Sequence, residues 1–161
     1  MSATAQAPAR SASGFDLTPP DETERARLES ALNAEEREVL LHHGTEAPFC
    51  GGLLNNKEDG VYCCRECGLP LFRAVTKFES GTGWPSFYAP FDEAHVTAVR
   101  DTSYGMVRIE TRCARCGSHQ GHVFPDGPKP TGLRYCINSV SLQFVCNGDP
   151  LPDPLGRDDK I

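Results

Sequence analysis

The sequence predicts a mainly β domain that is preceded by two short helices and cross-linked by one zinc ion. From Gly44 onward the helical periodicity disappears, and short apolar runs alternate with glycine and proline, a pattern typical of short strands. Two C-x-x-C pairs, Cys64 with Cys67 and Cys113 with Cys116, supply four thiols. Tetrahedral zinc binds four thiolates in structural sites, so the pairs are predicted to close one such site.

Composition divides the chain into a leader, one domain and a tail. The 161 residues suffice for one domain with one hydrophobic core. Residues 1–18 begin with a stretch rich in alanine and serine and are expected to form a disordered leader. The domain is assigned to residues 19–146. Residues 147–161 are rich in proline, glycine and aspartate and are expected to form a flexible tail.

Two helices are predicted before the β region. Residues 21–32 are charged and weakly periodic, which indicates a surface helix. Asn33 and Glu36 have the spacing of a capping box that starts a second helix. This helix is expected to run to the two histidines before Gly44, where the glycine supplies the C-terminal stop. Both histidines are therefore expected to be ordinary helix-end residues.

Strand-like alternation marks three segments of the β region. Residues 61–63 and 106–111 lead into the first and the second C-x-x-C pair. Residues 136–144 alternate best, and a single strand there would place Cys136 and Asn138 on one face. Three apolar residues would continue that face into the core.

The metal site is predicted to tie two distant hairpins together. Cys67 and Cys113 enclose 45 residues, whereas small zinc modules place their pairs about 12–20 residues apart. Four thiolates leave no open coordination position, so the predicted role is structural. Cys63 is an alternative ligand, although the spacing of the second pair favours Cys64. Two disulfides or idle buried thiols are the remaining interpretation of the pairs.

The charge balance argues against several classes of function. The chain has 16 basic and 22 acidic residues and a formal net charge of −6, so it lacks the basic footprint of a nucleic-acid-binding protein. No run approaches the roughly 18 apolar residues of a membrane span, and residues 1–13 lack the apolar centre of a secretory signal. We therefore expect a cytoplasmic protein in a reducing compartment, where C-x-x-C pairs favour metal or redox chemistry.

Cys136 is the candidate nucleophile because its neighbours in sequence suit that role. Arg134 precedes it by two residues, and a nearby cation favours the reactive thiolate. Asn138 follows it by two residues and offers an amide that can orient a substrate oxygen. His119 and His122 directly follow the second C-x-x-C pair, and histidine is suited to proton transfer near neutral pH. A buried structural cysteine at the start of a strand is the alternative.

The only tryptophan, Trp84, lies in a loop bounded by glycine and proline at residues 80–87. Such a residue either covers the core or walls an apolar pocket, where a thioether methyl group would pack well on its face. A non-catalytic zinc-binding domain that recruits a protein partner is the rival interpretation of the whole chain. It would not need the tryptophan together with the cysteine, the histidines and the asparagine.

Through these motifs the chain resembles the B-type methionine sulfoxide reductases, which act on the R epimer of methionine sulfoxide. The resemblance covers about residues 30–146 in the family's order. The matching segments are Gly44-Thr45-Glu46-Ala47-Pro48-Phe49, both C-x-x-C pairs, Thr76-Lys77-Phe78, Ser80-Gly81-x-Gly83-Trp84-Pro85-Ser86-Phe87, Gly121-His122-Val123-Phe124 and Arg134-Tyr135-Cys136-Ile137-Asn138-Ser139. Each segment is a weak signal alone, and together they are highly specific.

The resemblance implies two packed antiparallel sheets with N-terminal helices against them, and a thiol-dependent reductase. Cys136 would attack the sulfoxide sulfur and become a sulfenic acid as methionine leaves. His119 and His122 would position and protonate the sulfoxide oxygen, supported by Asn138. The implied substrate-binding residues are Trp84, which would receive the methyl group, Phe124 and Arg134.

The resemblance also implies recycling through a disulfide that a thioredoxin-like dithiol reduces, in a protein expected to act as a monomer. Many family members carry the second cysteine where this chain has Thr82, which cannot form a disulfide. Cys50 is the preferred replacement, because two glycines follow it and loosen its loop. Cys63 is expected to be pinned beside a zinc ligand, and Cys146 to lie at the far end of the predicted strand. Direct reduction of the sulfenic acid by an external thiol is the other route.

Overall fold

The computed structural model describes residues 10–157, which form two antiparallel sheets preceded by two helices. One sheet consists of β1 (Gly60–Cys64), β2 (Pro70–Arg73) and β9 (Leu142–Cys146), in the order β2-β1-β9. The other consists of β3 (Lys77–Phe78), β4 (Ser86–Phe87), β5 (Val96–Asp101), β6 (Arg108–Cys113), β7 (His119–Phe124) and β8 (Arg134–Ile137), in the order β3-β4-β8-β7-β6-β5. The predicted mainly β fold with two antiparallel sheets is confirmed.

Aromatic side chains from the two sheets meet in one core. Tyr62 of β1 and Phe72 of β2 contact Phe87 of β4, with ring centroids 5.1 Å and 4.5 Å apart. All three side chains are fully buried. Burial of large aromatic surfaces is a dominant favourable contribution to packing, so this contact holds one sheet against the other.

Both helices begin with a capping box. Asp21 caps α1 (Glu22–Ser30), and Asn33 caps α2 (Ala34–Leu40) by accepting a hydrogen bond from the backbone of Glu36. The predicted start of α2 is confirmed, and α1 agrees with the predicted surface helix to within two residues at each end. No helix among residues 10–157 has both the length and the apolar composition needed to span a membrane.

The end of α2 differs from the prediction. The helix ends at Leu40, and the left-handed backbone conformation falls on His43, with φ of 60°, instead of on Gly44. His43 leaves the helix, and its Nδ1 atom lies 2.7 Å from a carboxylate oxygen of Glu110 on β6. The expectation of an ordinary helix-end residue is wrong for His43, because its partner lies far away in sequence and local periodicity does not encode such a contact.

Part of the expected leader is folded. Phe15 is fully buried and packs edge-on against Phe91 and His95, with ring centroids 5.8 Å and 5.3 Å away. The expectation of disorder therefore does not hold for residues 10–18, because one aromatic side chain anchors this polar segment in the core. Residues 1–9, which belong to the same expectation, lie outside the described part of the chain.

The segment after β9 also packs on the domain. Leu155 is buried in the core, and Arg27 of α1 donates a hydrogen bond of 3.0 Å to the carbonyl oxygen of Pro154. Residues 147–157 are therefore not the flexible tail that their composition predicts, because one buried leucine and a contact with α1 hold them. Residues 158–161 lie outside the described part of the chain.

The single strand predicted over residues 136–144 is divided between the two sheets. A 3-10 turn, Ser139–Ser141, separates β8 in one sheet from β9 in the other. The Ser141 hydroxyl stabilises the turn by donating a hydrogen bond of 3.0 Å to the carbonyl oxygen of His119. Both sheets bury one face, so the alternation of apolar residues continues across the turn and does not reveal where the chain changes sheets.

Candidate functional site

Four cysteines meet where a hairpin of each sheet approaches the other. One C-x-x-C pair begins at the last residue of β1 and continues into the turn before β2, and the other begins at the last residue of β6 and continues into the turn before β7. The glycines that follow the pairs, Gly68 and Gly117, have φ of 85° and 80°, which allows each turn to fold back towards its sulfurs. The four buried residues, with Sγ atoms within 4.8 Å of one another, are Cys64, Cys67, Cys113 and Cys116. The predicted connection of two distant hairpins is present.

The spacing of the four sulfurs fits a tetrahedral metal ion. The Sγ atoms of Cys64 and Cys116 are 3.6 Å apart, and those of Cys67 and Cys113 are 3.5 Å apart. Four thiolates bound to zinc at about 2.3 Å lie about 3.8 Å from one another. The buried Arg115 donates a hydrogen bond from Nε to the sulfur of Cys67 (3.5 Å), which offsets negative charge on thiolates. The cluster could therefore hold one metal ion, and its donor set suits zinc.

A cavity of about 260 Å³ lies beside the six-stranded sheet. Cys136 is the only cysteine among residues 10–157 that lines it. The other predicted site residues in its lining are His122, Asn138, Trp84, Phe124 and Arg134. The fold thus brings six predicted site residues to one cavity. Two predicted site residues, His119 and Cys50, do not line this cavity.

Cys136 lies on β8, between β4 and β7. Its partners on these neighbouring strands are Ser86 and His122, and its Sγ atom is 4.0 Å from the hydroxyl of Thr82. Burial raises the pKa of the Cys136 thiol above its ordinary value, while the Thr82 hydroxyl and Arg134 act in the opposite direction. Arg134 therefore favours the thiolate as predicted, but burial outweighs its effect.

Arg134 is fixed at the cavity by contacts on two sides. Its guanidinium donates hydrogen bonds of 2.9 Å and 3.1 Å to the two carboxylate oxygens of Asp126. It also lies over the ring of Phe124, 4.4 Å from the centroid. A bidentate pair of this kind fixes orientation, so Arg134 presents a positive charge to Cys136 in one defined place.

Each of the two predicted histidines pairs with a carboxylate. His122 Nε2 lies 2.7 Å from Asp101, and His119 Nδ1 lies 2.6 Å from Glu110. The hydrogen bond from His122 is the largest of the effects that hold the pKa of Asp101 well below its usual range. The imidazole centroids are 5.5 Å apart. Both histidines line a second cavity of about 540 Å³, and His122, like Thr45 and Arg108, lines both cavities.

Trp84 and Asn138 are both anchored to the backbone of Glu46. The indole N–H of Trp84 donates a hydrogen bond of 3.0 Å to the carbonyl oxygen of Glu46, and the Glu46 N–H donates one of 3.0 Å to Oδ1 of Asn138. Nδ2 of Asn138 donates to the carbonyl oxygen of Gln120 at 3.1 Å. The amide of Asn138 therefore holds together the chain segments that surround the cavity.

Cys50 is exposed, and its segment is tethered close to the cavity. The backbone N–H of Phe49 donates a hydrogen bond of 2.7 Å to the carbonyl oxygen of Gly83, in the loop that also contributes to the cavity wall. Gly51 is less free than predicted, because a Cβ atom there would lie 2.2 Å from the Ser139 hydroxyl. The chain on either side of Cys50 therefore contacts the domain at Phe49 and Gly51, whereas a Cβ atom at Gly52 would have no neighbour within 4 Å.

The other two cysteines outside the cluster are poorly placed to reach Cys136. Cys63 is fully buried, and burial raises the pKa of its thiol far above the ordinary value. Cys146 lies at the end of β9, in the three-stranded sheet, with Sγ 3.4 Å from a carboxylate oxygen of Glu58. Cys136 lies in the six-stranded sheet. The single strand that was expected to separate Cys146 from Cys136 is not formed, since the chain turns between the sheets at residues 139–141.

Sequence reasoning missed the acidic partners of the site, which are Asp101, Glu110 and Asp126. Alternation within segment 106–111 places Glu110 on the same face as Arg108, yet Glu110 is only 4% exposed, so the local pattern did not reveal its burial. Its pairing with His43 spans 67 positions in sequence, and nothing in the local pattern indicates it.

Comparison with known proteins is in agreement with this geometry. A family profile described as "SelR domain" matches residues 32–146. The chain is 80% identical over 151 residues to a protein of Caulobacter vibrioides (strain NA1000 / CB15N), covering 94% of this chain and 95% of that relative. It is 60% identical over 145 residues to a protein of Xylella fastidiosa (strain M23), covering 90% and 94%. A protein of Escherichia coli O45:K1 (strain S88 / ExPEC) is 56% identical over 118 residues, covering 73% and 86%. All three relatives are named peptide methionine sulfoxide reductase MsrB.

Proposed function

The chain belongs to the SelR domain family and is an oxidoreductase of the methionine sulfoxide reductase class, and we propose that it reduces methionine-R-sulfoxide to methionine, free or in proteins. The observation that carries this proposal is the position of Cys136. Among residues 10–157 it is the one cysteine that lines this cavity, and histidine, arginine and tryptophan side chains surround it there.

The first chemical step balances as a transfer of oxygen from the substrate sulfur to the cysteine sulfur. The Cys136 thiolate attacks the sulfoxide sulfur, and the sulfoxide oxygen takes up one proton. The bond formed between the two sulfurs and the sulfur–oxygen bond of the substrate both break as the hydroxyl moves to the Cys136 sulfur, so methionine leaves and Cys136 becomes a sulfenic acid. The cysteine is oxidised by two electrons as the substrate is reduced by two.

The histidine pair is the proton source in this proposal. His122 lines the cavity and is the partner of Cys136 across the strands, while His119 packs against His122. A proton donor must lie within hydrogen-bond reach of the oxygen or act through one intermediate group. Because His122 lines the cavity, it is assigned the direct role, and His119 is assigned the role of acting through His122.

Aromatic and cationic side chains supply substrate binding. Trp84 forms a cavity wall that is held by its hydrogen bond to Glu46, and a methyl group next to sulfur packs well on such a face. Phe124 forms a second wall, and Arg134 lies against it. These contacts orient the sulfur towards Cys136, because the apolar walls accept the methyl group and leave the oxygen towards the histidines.

We assign a zinc ion to the four-cysteine cluster. It would be held by Cys64, Cys67, Cys113 and Cys116, and when bound it would cross-link a hairpin of each sheet without offering a position to substrate. Metal binding to a preformed set of thiolates contributes to the free energy of folding. The role assigned to the metal is therefore stabilisation of the domain.

Recycling is assigned to Cys50. Its thiol would condense with the sulfenic acid, releasing water and forming a disulfide with Cys136, which a thioredoxin-like dithiol would reduce by exchange. Exposure of Cys50 and the tether between Phe49 and Gly83 support the assignment. A disulfide requires Cα atoms within about 7 Å, so the proposal requires Cys50 to come that close to Cys136 during the cycle.

The decisive experiment uses the separate R and S epimers of methionine sulfoxide with the full zinc-loaded chain. Thioredoxin with its reductase and dithiothreitol are supplied in parallel. We expect consumption of the R epimer with either reductant and persistence of the S epimer. A non-catalytic domain that recruits a protein partner would consume neither epimer, and consumption of the S epimer instead would contradict the assigned stereospecificity.

A further inference from the structure

A buried carboxylate, that of Glu110, contacts the imidazoles of both His119 and His43. None of these three residues lines the cavity of Cys136. Glu110 is 4% exposed, and its Oε2 atom lies 2.6 Å from His119 Nδ1 and 2.7 Å from His43 Nδ1. Its other oxygen pairs with Arg112 at 2.9 Å. Burial raises the pKa of Glu110, but the hydrogen bonds from Arg112, His119 and His43 outweigh it and lower the pKa to about 2. Glu110 is therefore a carboxylate throughout the neutral pH range.

This contact determines which nitrogen of His119 carries the proton. An ionised carboxylate only accepts hydrogen bonds, so His119 must hold its hydrogen on Nδ1. In the neutral ring, Nε2 is then the unprotonated nitrogen. His119 Nε2 is buried and has no hydrogen-bond partner among residues 10–157. It is thus the atom of this ring that remains available to take up or give a proton.

His43 reaches Glu110 from a strained backbone position. Its φ of 60° is in the left-handed region, which residues other than glycine rarely adopt. Such geometry persists where the surroundings hold it in place, and it is enriched at functional sites. The side chain of His43 is 48% exposed, whereas that of His119 is 2% exposed. His43 therefore places a solvent-accessible imidazole against Oε2 of Glu110, the same oxygen that orients the buried imidazole of His119.

We propose that Glu110 is a positioning residue that fixes the tautomer and orientation of His119, and that His43 tunes His119 by sharing the same carboxylate oxygen. This inference rests on the proposed reductase function, because it assigns partners to one of the two histidines in the proton-donating pair. It extends the site to a carboxylate and an imidazole that do not line the Cys136 cavity.

A metal ion between these three residues is a weaker account of the same cluster. The ligand atoms of His43, Glu110 and His119 lie close enough to hold an ion. However, the distances of 2.6 Å and 2.7 Å are those of charge-assisted hydrogen bonds. Ligand atoms on a zinc ion at about 2.0–2.2 Å would lie about 3 Å or more apart. Arg112 also already neutralises the carboxylate.

The electrostatic effects on His119 have opposite signs. Burial lowers its pKa, Glu110 raises it through the hydrogen bond and its charge, and His122 and His43 lower it. The other charged or titratable groups that line the cavity of about 540 Å³ are Asp101 and Arg100 from β5, Tyr104 from the turn after β5, Arg108 and Arg112 from β6, and His42 from the segment after α2. Removing the charge of Glu110 should lower the pKa of His119 further, and removing His43 should raise it.

The test measures the His119 imidazole directly by NMR titration of the zinc-loaded full chain, labelled in its histidines. The variants are Glu110→Gln and His43→Gln, with His42→Gln as the matched control, since His42 is an exposed histidine next to His43 in sequence. We expect the pKa of His119 to fall in Glu110→Gln, to rise in His43→Gln and to stay unchanged in His42→Gln. The Nδ1–H tautomer of the neutral ring should dominate in wild type and be lost in Glu110→Gln.

Single-turnover release of methionine gives the second readout. We expect Glu110→Gln to slow it by about tenfold or more, with partial rescue in Glu110→Asp. The pH of half-maximal rate should move down in Glu110→Gln and up in His43→Gln. Shifts of the same sign in both variants, or an Nε2–H tautomer in wild type, would overturn the inference. So would a second zinc equivalent that binds to wild type and is lost in His43→Gln.

The outcomes separate this inference from the proposed function. If wild type reduces neither epimer, the reductase proposal fails, while the NMR titration still decides whether Glu110 and His43 control His119. If Glu110→Gln loses its near-ultraviolet circular dichroism, the surface variant His43→Gln decides the question alone. An unchanged His119 pKa in His43→Gln would then refute the tuning role.

Discussion

The four-cysteine cluster and the cavity of Cys136 use the same side chain in opposite environments. In the cluster, two pairs of sulfurs are 3.5–3.6 Å apart, the four residues are buried, and a buried arginine lies against them. Among residues 10–157, no second sulfur lines the cavity of Cys136, and the Thr82 hydroxyl lies 4.0 Å from the Cys136 sulfur. It is only partly buried.

The difference shows that the surroundings of a thiol decide whether it can bind a metal ion or react with a substrate. Four converging sulfurs form a complete set of ligands, so a bound metal would use all of them and leave none for a substrate. A solitary thiol beside a cation and a cavity keeps its lone pairs for an incoming sulfoxide. The two regions should therefore respond to the same substitution in different ways.

Cys136→Ser should produce the largest effect on activity. A hydroxyl is a much poorer nucleophile than a thiolate at neutral pH, so turnover should fall by about a thousandfold or more. Zinc content and melting temperature should stay at the wild-type values. Measurable steady-state reduction in this variant would remove Cys136 from the centre of the mechanism.

Cys113→Ser should produce the largest effect on stability. Loss of one of four thiolates should release the metal and lower the melting temperature by about 10 °C or more. Metal analysis and calorimetry measure both quantities. Cys63→Ala is the matched control, because Cys63 is buried beside the cluster but is not one of its four members. Full stability in metal-free Cys113→Ser would refute the structural role.

Cys50→Ser should separate the chemical step from recycling. We expect one stoichiometric turnover, loss of about tenfold or more in thioredoxin-dependent rate, and partial rescue by dithiothreitol, a small thiol that reaches the sulfenic acid directly. Cys146→Ser is the control and should recycle normally. Thr82→Cys in the Cys50→Ser background should restore recycling, since the Thr82 hydroxyl is 4.0 Å from the Cys136 sulfur. A Cys136–Cys146 disulfide in peptide maps of wild type would transfer the resolving role.

Arg134→Met should produce the smallest effect, on the ionisation of Cys136. Removing the cation removes one of the effects that lower the pKa of this thiol, so the pKa should rise. At pH 7 the rate of alkylation by iodoacetamide should fall about three- to tenfold, and it should recover at high pH. Asp126→Asn should act with the opposite sign, because Asp126 raises the same pKa. Equal alkylation profiles in both variants would show that neither charge controls the thiol.

Much of the candidate site could be predicted because its residues are grouped in short motifs. The C-x-x-C spacing indicated a complete set of sulfur ligands, and the segment from Arg134 to Asn138 indicated the cysteine that faces the cavity. The spacing of Asn33 and Glu36 likewise indicated the start of α2, which the capping box confirms. In each case the interactions involved lie within a few positions of one another, so the local sequence contains them.

The sequence by itself therefore determined the class of fold, the four cysteines of the cluster and the residues that surround Cys136. Only the tertiary structure decided that residues 139–141 carry the chain from one sheet to the other, and that Phe15 and Leu155 belong to the core. The contact between Glu110 and His43 likewise appears only in the tertiary structure. These features depend on contacts between residues that are distant in the chain, and periodicity reports only whether a position is buried, not which side chain it meets there.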